Sequence, residues 1–189
     1  MTIIEDGTGD GFDAKVNSAN QLETFSVSRN EMTNVSISDG DTYLFASGDF
    51  INITTTGTET GFLYVKNTSA TKNLHIQSIR SCGDTIQKWK VFTGVTTGTL
   101  VSAATAGSSN NINQTSSNSA DVTVYKGVDG STRTNGTMIE HWINNVGHSI
   151  EVFDGAMVLG RNDSITLTLE TDTAGDYCAR VIGYYEDVE

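Results

Sequence analysis

The residues able to do chemistry in this 189-residue chain are few and scattered. His75, His141 and His148 are the only histidines. His75 sits inside "NLHIQ", a strand-like stretch where a satisfied or surface histidine is the plain reading. No G-x-S-x-G elbow is present, and no H-x-H or H-E-x-x-H spacing that would hold zinc. Carboxylates are plentiful, and a glycosidase-type acid and nucleophile pair would need two of them across a cleft. Here they fall beside Gly and Asn in turns, without an aromatic-rich stretch to line such a cleft. The expectation is a protein that is not an enzyme and has no catalytic residues.

Metal and sugar binding were weighed on the same terms. "DGTGDG", Asp6 to Gly11, begins like a calcium loop, but its twelfth position is Asn17 where calcium needs a bidentate Glu. "SDGDT" brings Asp39 and Asp41 together with backbone carbonyls, a second set of ligands suited to a hard cation. Asp6, Asp10, Asp39 and Asp41 are therefore the calcium candidates. Solvated turn carboxylates are the plainer reading, so no metal and no cofactor is expected. Trp89, Trp142, Tyr184 and Tyr185 would form a sugar-stacking platform if exposed. Yet Trp89 alternates with Lys88 and Lys90 and shares a face with Val91, which reads as core. Tyr184 and Tyr185 are adjacent and face opposite sides of a regular strand, one expected buried and one exposed.

Cys82 and Cys178 are the only cysteines, too few for a disulfide framework. Both lie in strand-like segments, and the reading favours two small core residues over a bridge.

The elements that must position these side chains are strands. Ser, Thr and Asn supply most of the polarity, since charged residues are only 18% of the chain, and β-branched Thr is the commonest. Proline is absent where about 5% is usual, so the turns fall to the 19 Gly with Asn and Asp. Hydrophobic residues at 37% support a lean single core. A net charge of −12 opposes binding to nucleic acid or to an anionic membrane surface. No apolar run approaches the roughly 20 residues of a membrane helix. The opening "MTIIEDGTGDG" lacks a basic start and an apolar run, which predicts synthesis and folding in a cytoplasm.

Residues 1–40 read as an extended arm. Its apolar residues are isolated, and Phe12, Val16, Leu22, Phe25 and Val27 are the candidates for contact with a neighbour. Such an arm can order on contact or add a strand to another sheet. Residues 41–189 read as the body. "TYLFA", "DFINITTT", "GFLYVKNTS", "NLHIQSIRSC", "QKWKVFTG", "DVTVYKG", "HSIEVFDG", "SITLTLET" and "DYCARVIGYYE" are strand signals. "TMIEHWINN" fits a helix or a strand, and its neighbours favour the strand. "GTLVSAAT" reads as a weaker strand, and residues 106–119 as a low-complexity loop or a loosely held edge. Eight to ten short strands with frequent turns, and no convincing helix among them, predict an all-β antiparallel sandwich of jelly-roll type. Within "FDGAMVLGRNDSITLTLET" the alternation points Ile165, Leu167 and Leu169 into the core and Thr166 and Thr168 to solvent or a partner.

Three stretches carry a family resemblance. "GTGDGFDAKVNSANQLETFSVS" resembles the start of many tailed-bacteriophage virion proteins. "TGFLYVKNTSATKNLHIQSIR" resembles a strand pair of jelly-roll phage head proteins. "FDGAMVLGRNDSITLTLETDTAG" with "VIGYYE" resembles their closing strands, although "GRND" stands where Pro-Gly is typical. The resemblance implies a capsid decoration, or cement, protein on the outside of the head. It implies a homotrimer that clamps neighbouring major capsid protein subunits, with no catalytic residues to carry over. The competing expectation is a tail or head-fibre binding module that recognises host glycans or a surface receptor.

Overall fold

The computed structural model of the chain describes residues 15–16, 22–23, 31–102 and 105–188. The chain divides into two units, Met1–Asn30 and Glu31–Glu189. In the first, β1 (Lys15–Val16) pairs antiparallel with β2 (Leu22–Glu23), which sets Val16 opposite Leu22. Phe12, Phe25, Val27, Asp6 and Asp10 lie outside the described residues.

The second unit opens with α1 (Glu31–Ser38), a helix in a stretch whose sequence shows no apolar periodicity. It ends where Gly40, at φ 68°, donates its N–H to the Val35 carbonyl at 2.9 Å. This is the left-handed glycine stop that satisfies a last-turn carbonyl. Thirteen further elements follow. They are β3 (Thr42–Ala46), β4 (Ile51–Ile53), β5 (Glu59–Asn67), β6 (Lys72–Gly83), β7 (Gln87–Thr93), α2 (Thr99–Ser102) and β8 (Thr105–Ala106). Then come β9 (Ser108–Asn111), β10 (Val122–Lys126), β11 (Thr137–Asn144), β12 (Gly147–Leu159), β13 (Ser164–Thr171) and β14 (Gly175–Asp187).

The strands form two antiparallel sheets of a sandwich. The first runs β11-β7-β13-β5-β10-β8, and the second runs β12-β6-β14-β3-β9 with β4 also on β14. Eight strands make the jelly roll: β3-β14-β6-β12 faces β5-β13-β7-β11, and from β5 to β7 and from β11 to β14 successive members alternate between sheets. Short β8, β9 and β10 extend the same side of both sheets. Between the sheets lie Phe45, Phe62, Val65, Leu74, Ile76, Trp89, Val91, Ile165, Leu167, Leu169 and Val181, all buried. Trp89 meets Phe62 edge to face at 5.0 Å and donates its ring N–H to Gln87 Oε1 at 2.6 Å. Burying each large apolar side chain contributes about 1.5–3 kcal/mol against the chain entropy lost on folding.

Trp89 and Val91 face inward as the alternation requires, and Lys88 and Lys90 face out into ion pairs with Glu170 and Glu59. "TMIEHWINN" is a strand. Several other expectations need correction. Thr166 and Thr168 are fully buried rather than solvent-facing. At these two positions the outer face of the first sheet is covered: Thr166 stands between the buried Tyr64 and Phe92, and Gly61, the register partner of Thr168, has no side chain and lets Leu100 of α2 settle against it. The segment "GTLVSAAT" therefore supplies a helical turn at 99–102 and, at its end, Thr105 of the two-residue β8, with the Leu100 N–H held by the Thr132 carbonyl at 3.1 Å. Of the two alternatives for 106–119, residues 108–111 take the edge, paired on β3.

Tyr184 and Tyr185 do face opposite sides, yet both are buried. Tyr185 packs edge to face on Tyr43 in the core. Tyr184 stacks on His75 at 5.1 Å and is roofed by Gly155 in the β12 bulge, where a Cβ would fall 2.4 Å from its hydroxyl oxygen. Cys82 and Cys178 form a disulfide, not two core thiols. They occupy the half-buried outer face of the second sheet, directly opposite each other in the β6–β14 register.

Candidate functional site

The two sides of the sandwich differ in chemistry. On one side the sheets end in β8 and β9, short strands of Thr, Ala, Ser and Asn. Short polar strands are a common way of blunting an open edge against unwanted pairing. On the other side the sheets end in β11 and β12, strands of 8 and 13 residues joined through Asn145 and Val146. Trp142 turns inward from β11, packs on the core and donates its ring N–H to Ser81 Oγ at 3.2 Å. Its inward turn sends Ile143, opposite Lys88, to the outer face of the first sheet. On β12, Ile150 and Val152 lie opposite Arg80 and Ser78 on the outer face of the second.

The consequence is an apolar edge. Among the described residues twelve large apolar side chains are exposed, and seven belong to these two strands and their connection: Met138, Ile139, Ile143, Val146, Ile150, Val152 and Val158. Ile143 and Val146 are 68% and 72% exposed. Scattered exposed aliphatics are ordinary, but here they concentrate along the two strands that end the sheets on this side. The sequence carried a signal for it. In "HSIEVFDGAMV" apolar residues occupy both parities, Ile150 and Val152 on one and Phe153 and Met157 on the other. A strand with one wet face would not show that.

A second feature is a polar pocket of about 390 Å³ lined by Asp41, Tyr43, Ser69, Lys72, Asn118, Asp121 and Tyr185. The buried Asp41 carboxylate accepts hydrogen bonds from Lys72 Nζ, from Asn118 Nδ2 at 2.8 Å and from Tyr43 Oη at 3.2 Å. Burial works against its charge, but the bonds from Lys72 and Asn118, Coulomb attraction to Lys72 and the bond from Tyr43 hold it below the ordinary carboxylate range. The hydrogen bond to Asp41 pushes the Lys72 ammonium up, against its partial burial. Tyr43 and Tyr185 are pushed well above the phenol range, first by burial and then by nearby Asp charge. The Tyr185 hydroxyl donates to the Asp121 carbonyl at 2.8 Å. Both tyrosine rings are buried, so only their rims reach the pocket. It can meet a hydroxyl-rich group with hydrogen bonds and offers no aromatic face for a sugar to stack on. Nothing in the strand alternation pointed to this pocket, because it draws together residues from four separate segments of the chain, at 41–43, 69–72, 118–121 and 185.

The remaining candidates do not converge. Asp41 is committed to Lys72, Asp39 is exposed, and no group of three or more ligating side chains gathers among the described residues. His75 lies between the Gly155 carbonyl at 3.2 Å and the Glu186 carboxylate at 3.0 Å. His141 on β11 and His148 on β12 are exposed. Both sulfurs sit in the bridge, so neither serves as a thiolate nucleophile. Trp89 is core, and Trp142 is partly buried against it.

No family model matches this sequence, and no curated protein matches it significantly.

Proposed function

We propose that the chain is a virion structural protein, a decoration protein held on the outside of a tailed-phage head and reinforcing contacts between major capsid protein subunits. The observation that carries the reading is the apolar edge on β11 and β12, which asks for a protein partner and offers no chemistry. A jelly-roll body, the sequence resemblance and a net charge of −12, which suits an outer surface and opposes contact with packaged genome, lend it support. On this reading the edge is shared between three copies or pressed on the capsid, and residues 1–30 supply the reach to a neighbour. Co-sedimentation tests it. The purified protein, mixed with expanded heads that lack it, travels with the heads; recovery wholly in the supernatant refutes the reading.

A second reading is favoured by the polar pocket, with its tyrosine rims ringed by Asp41, Asp121 and Asn118. It makes the chain a fibre module for host glycans or a surface receptor. Binding to host envelope glycans that is lost on Asn118→Ala, together with indifference to heads, would select it. The fold serves both functions, so it does not choose between them.

A further inference from the structure

We propose that Arg80 and Arg180 form a docking site for an acidic, apolar-flanked segment of a partner protein. The two arginines stand directly opposite each other in the β6–β14 register, on the outer face of the second sheet, and both are exposed. Like charges placed opposite across a ladder repel and cost stability. Such a pair in a chain of net charge −12 would ordinarily be relieved by a nearby carboxylate. Lys72, Lys88, Lys90 and Arg133 are each held that way. Arg80 and Arg180 are not: among the described residues neither guanidinium has a hydrogen-bond or ion-pair partner, and Lys66, Lys126 and Arg161, which also lack ion pairs, face no second cation across a ladder.

The surroundings specify the occupant. The arginines flank a depression of about 280 Å³ whose lining includes the Cys82–Cys178 bridge, Phe50, Ile150 and His148. Phe50 and Ile150 are 61% and 44% exposed. Arginine among aliphatic and aromatic side chains is the composition of an interface centre, where lysine is depleted. Each guanidinium can grip a carboxylate through two parallel N–H donors. Two forks side by side fit neighbouring acidic residues of an extended segment, and the apolar rim takes the side chains that flank them. A nucleic-acid backbone offers no aliphatic side chains to fill the apolar rim of Phe50 and Ile150.

This goes beyond the decoration reading and does not need it, since its test uses no heads. The probe is a fluorescein-labelled dodecapeptide repeating Val-Glu-Asp, with a Val-Gln-Asn peptide as its neutral control. Fluorescence anisotropy at low salt is expected to show saturable binding of the acidic peptide to the wild-type protein. Binding should weaken by about tenfold or more for Arg80→Gln/Arg180→Gln, for the neutral peptide and at high salt. Arg161→Gln, in the exposed turn before β13, should bind as wild type does. The double variant should melt no lower than wild type, because it loses a repulsion and no contact. Equal binding by wild type and double variant, no saturable binding by wild type, or competition by an oligothymidylate as effective as by the peptide would each overturn the proposal.

Discussion

Cys82 lies directly opposite Cys178 across β6 and β14, with Cα atoms 5.2 Å apart at a sequence separation of 96. The bridge ties an early strand of the jelly roll to its last one, so the loop it closes holds β7 through β13. Closing so long a loop mainly restricts the unfolded chain. Reduction, or Cys82→Ser/Cys178→Ser, is expected to lower the unfolding free energy by about 2–4 kcal/mol. Urea unfolding with and without reductant reads this directly; coincident midpoints would contradict it.

Asp41 sets a pH dependence. Its folded carboxyl titrates below its ordinary value of 3.8, so its ionised form is favoured by folding. The stabilisation is complete above about pH 4 and is lost as pH falls through the depressed folded value. Glu170 is shifted in the same direction by its hydrogen bonds to Lys88 and Lys90, though solvent screens that group. Asp41→Asn should cost about 1–2 kcal/mol at neutral pH and flatten the fall in stability below pH 4. Thermal unfolding of both proteins across the acid range checks it, and parallel curves would count against it.

Thr166 and Thr168 show where strand alternation stops being informative. It assigned Ile165, Leu167 and Leu169 to the core because those side chains are apolar every second residue. It assigned the threonines to solvent by the same rule, and they are fully buried, because residues distant in sequence, Tyr64 and Phe92 beside Thr166 and Leu100 against Gly61 beside Thr168, cover those positions. Tyr184 fails for the same reason, with the β12 bulge as its cover. The Cys pairing and the Asp41 pocket depend on register between strands far apart in the chain, which no local pattern encodes. The sandwich itself was legible because its strands alternate strongly, as in "QKWKVFT". The α1 helix was not, because "EMTNVSIS" has no apolar stripe.

The covered threonines give a prediction of their own. The Oγ1 atoms of Thr166 and Thr168 are buried without a hydrogen-bond partner. A buried hydroxyl left unpaired is costly, and valine has nearly the same shape. Thr168→Val is expected to leave stability unchanged or raise it by about 1 kcal/mol. A clear drop in melting temperature would mean that the hydroxyl is satisfied after all.

The division of the chain gives another. The α1 helix belongs with the body: Val35 is buried, and Asn113 Nδ2 donates to the Ser36 carbonyl at 2.6 Å. Deleting residues 1–30 should leave a body that melts close to the full chain. Deleting 1–40 should cost about 1–3 kcal/mol through lost burial and an unpaired Asn113. Equal loss from both truncations, read by urea unfolding, would contradict this.

Ile143→Asp/Val146→Asp places charge at two of the most exposed positions of the apolar edge. Its stability should stay within about 0.5 kcal/mol of wild type, as for ordinary surface changes. Its binding to expanded heads should fall by at least about tenfold. Head binding unchanged by this variant would remove the edge from the proposed contact.

Imaging of an intact particle, at a resolution that traces strands, tests the proposed role most directly. The expected result is this sandwich on the outside of the head, with the β11–β12 edge buried against a second copy or the major capsid protein. A head surface without the sandwich, or a sandwich whose β11–β12 edge faces only solvent, would contradict it.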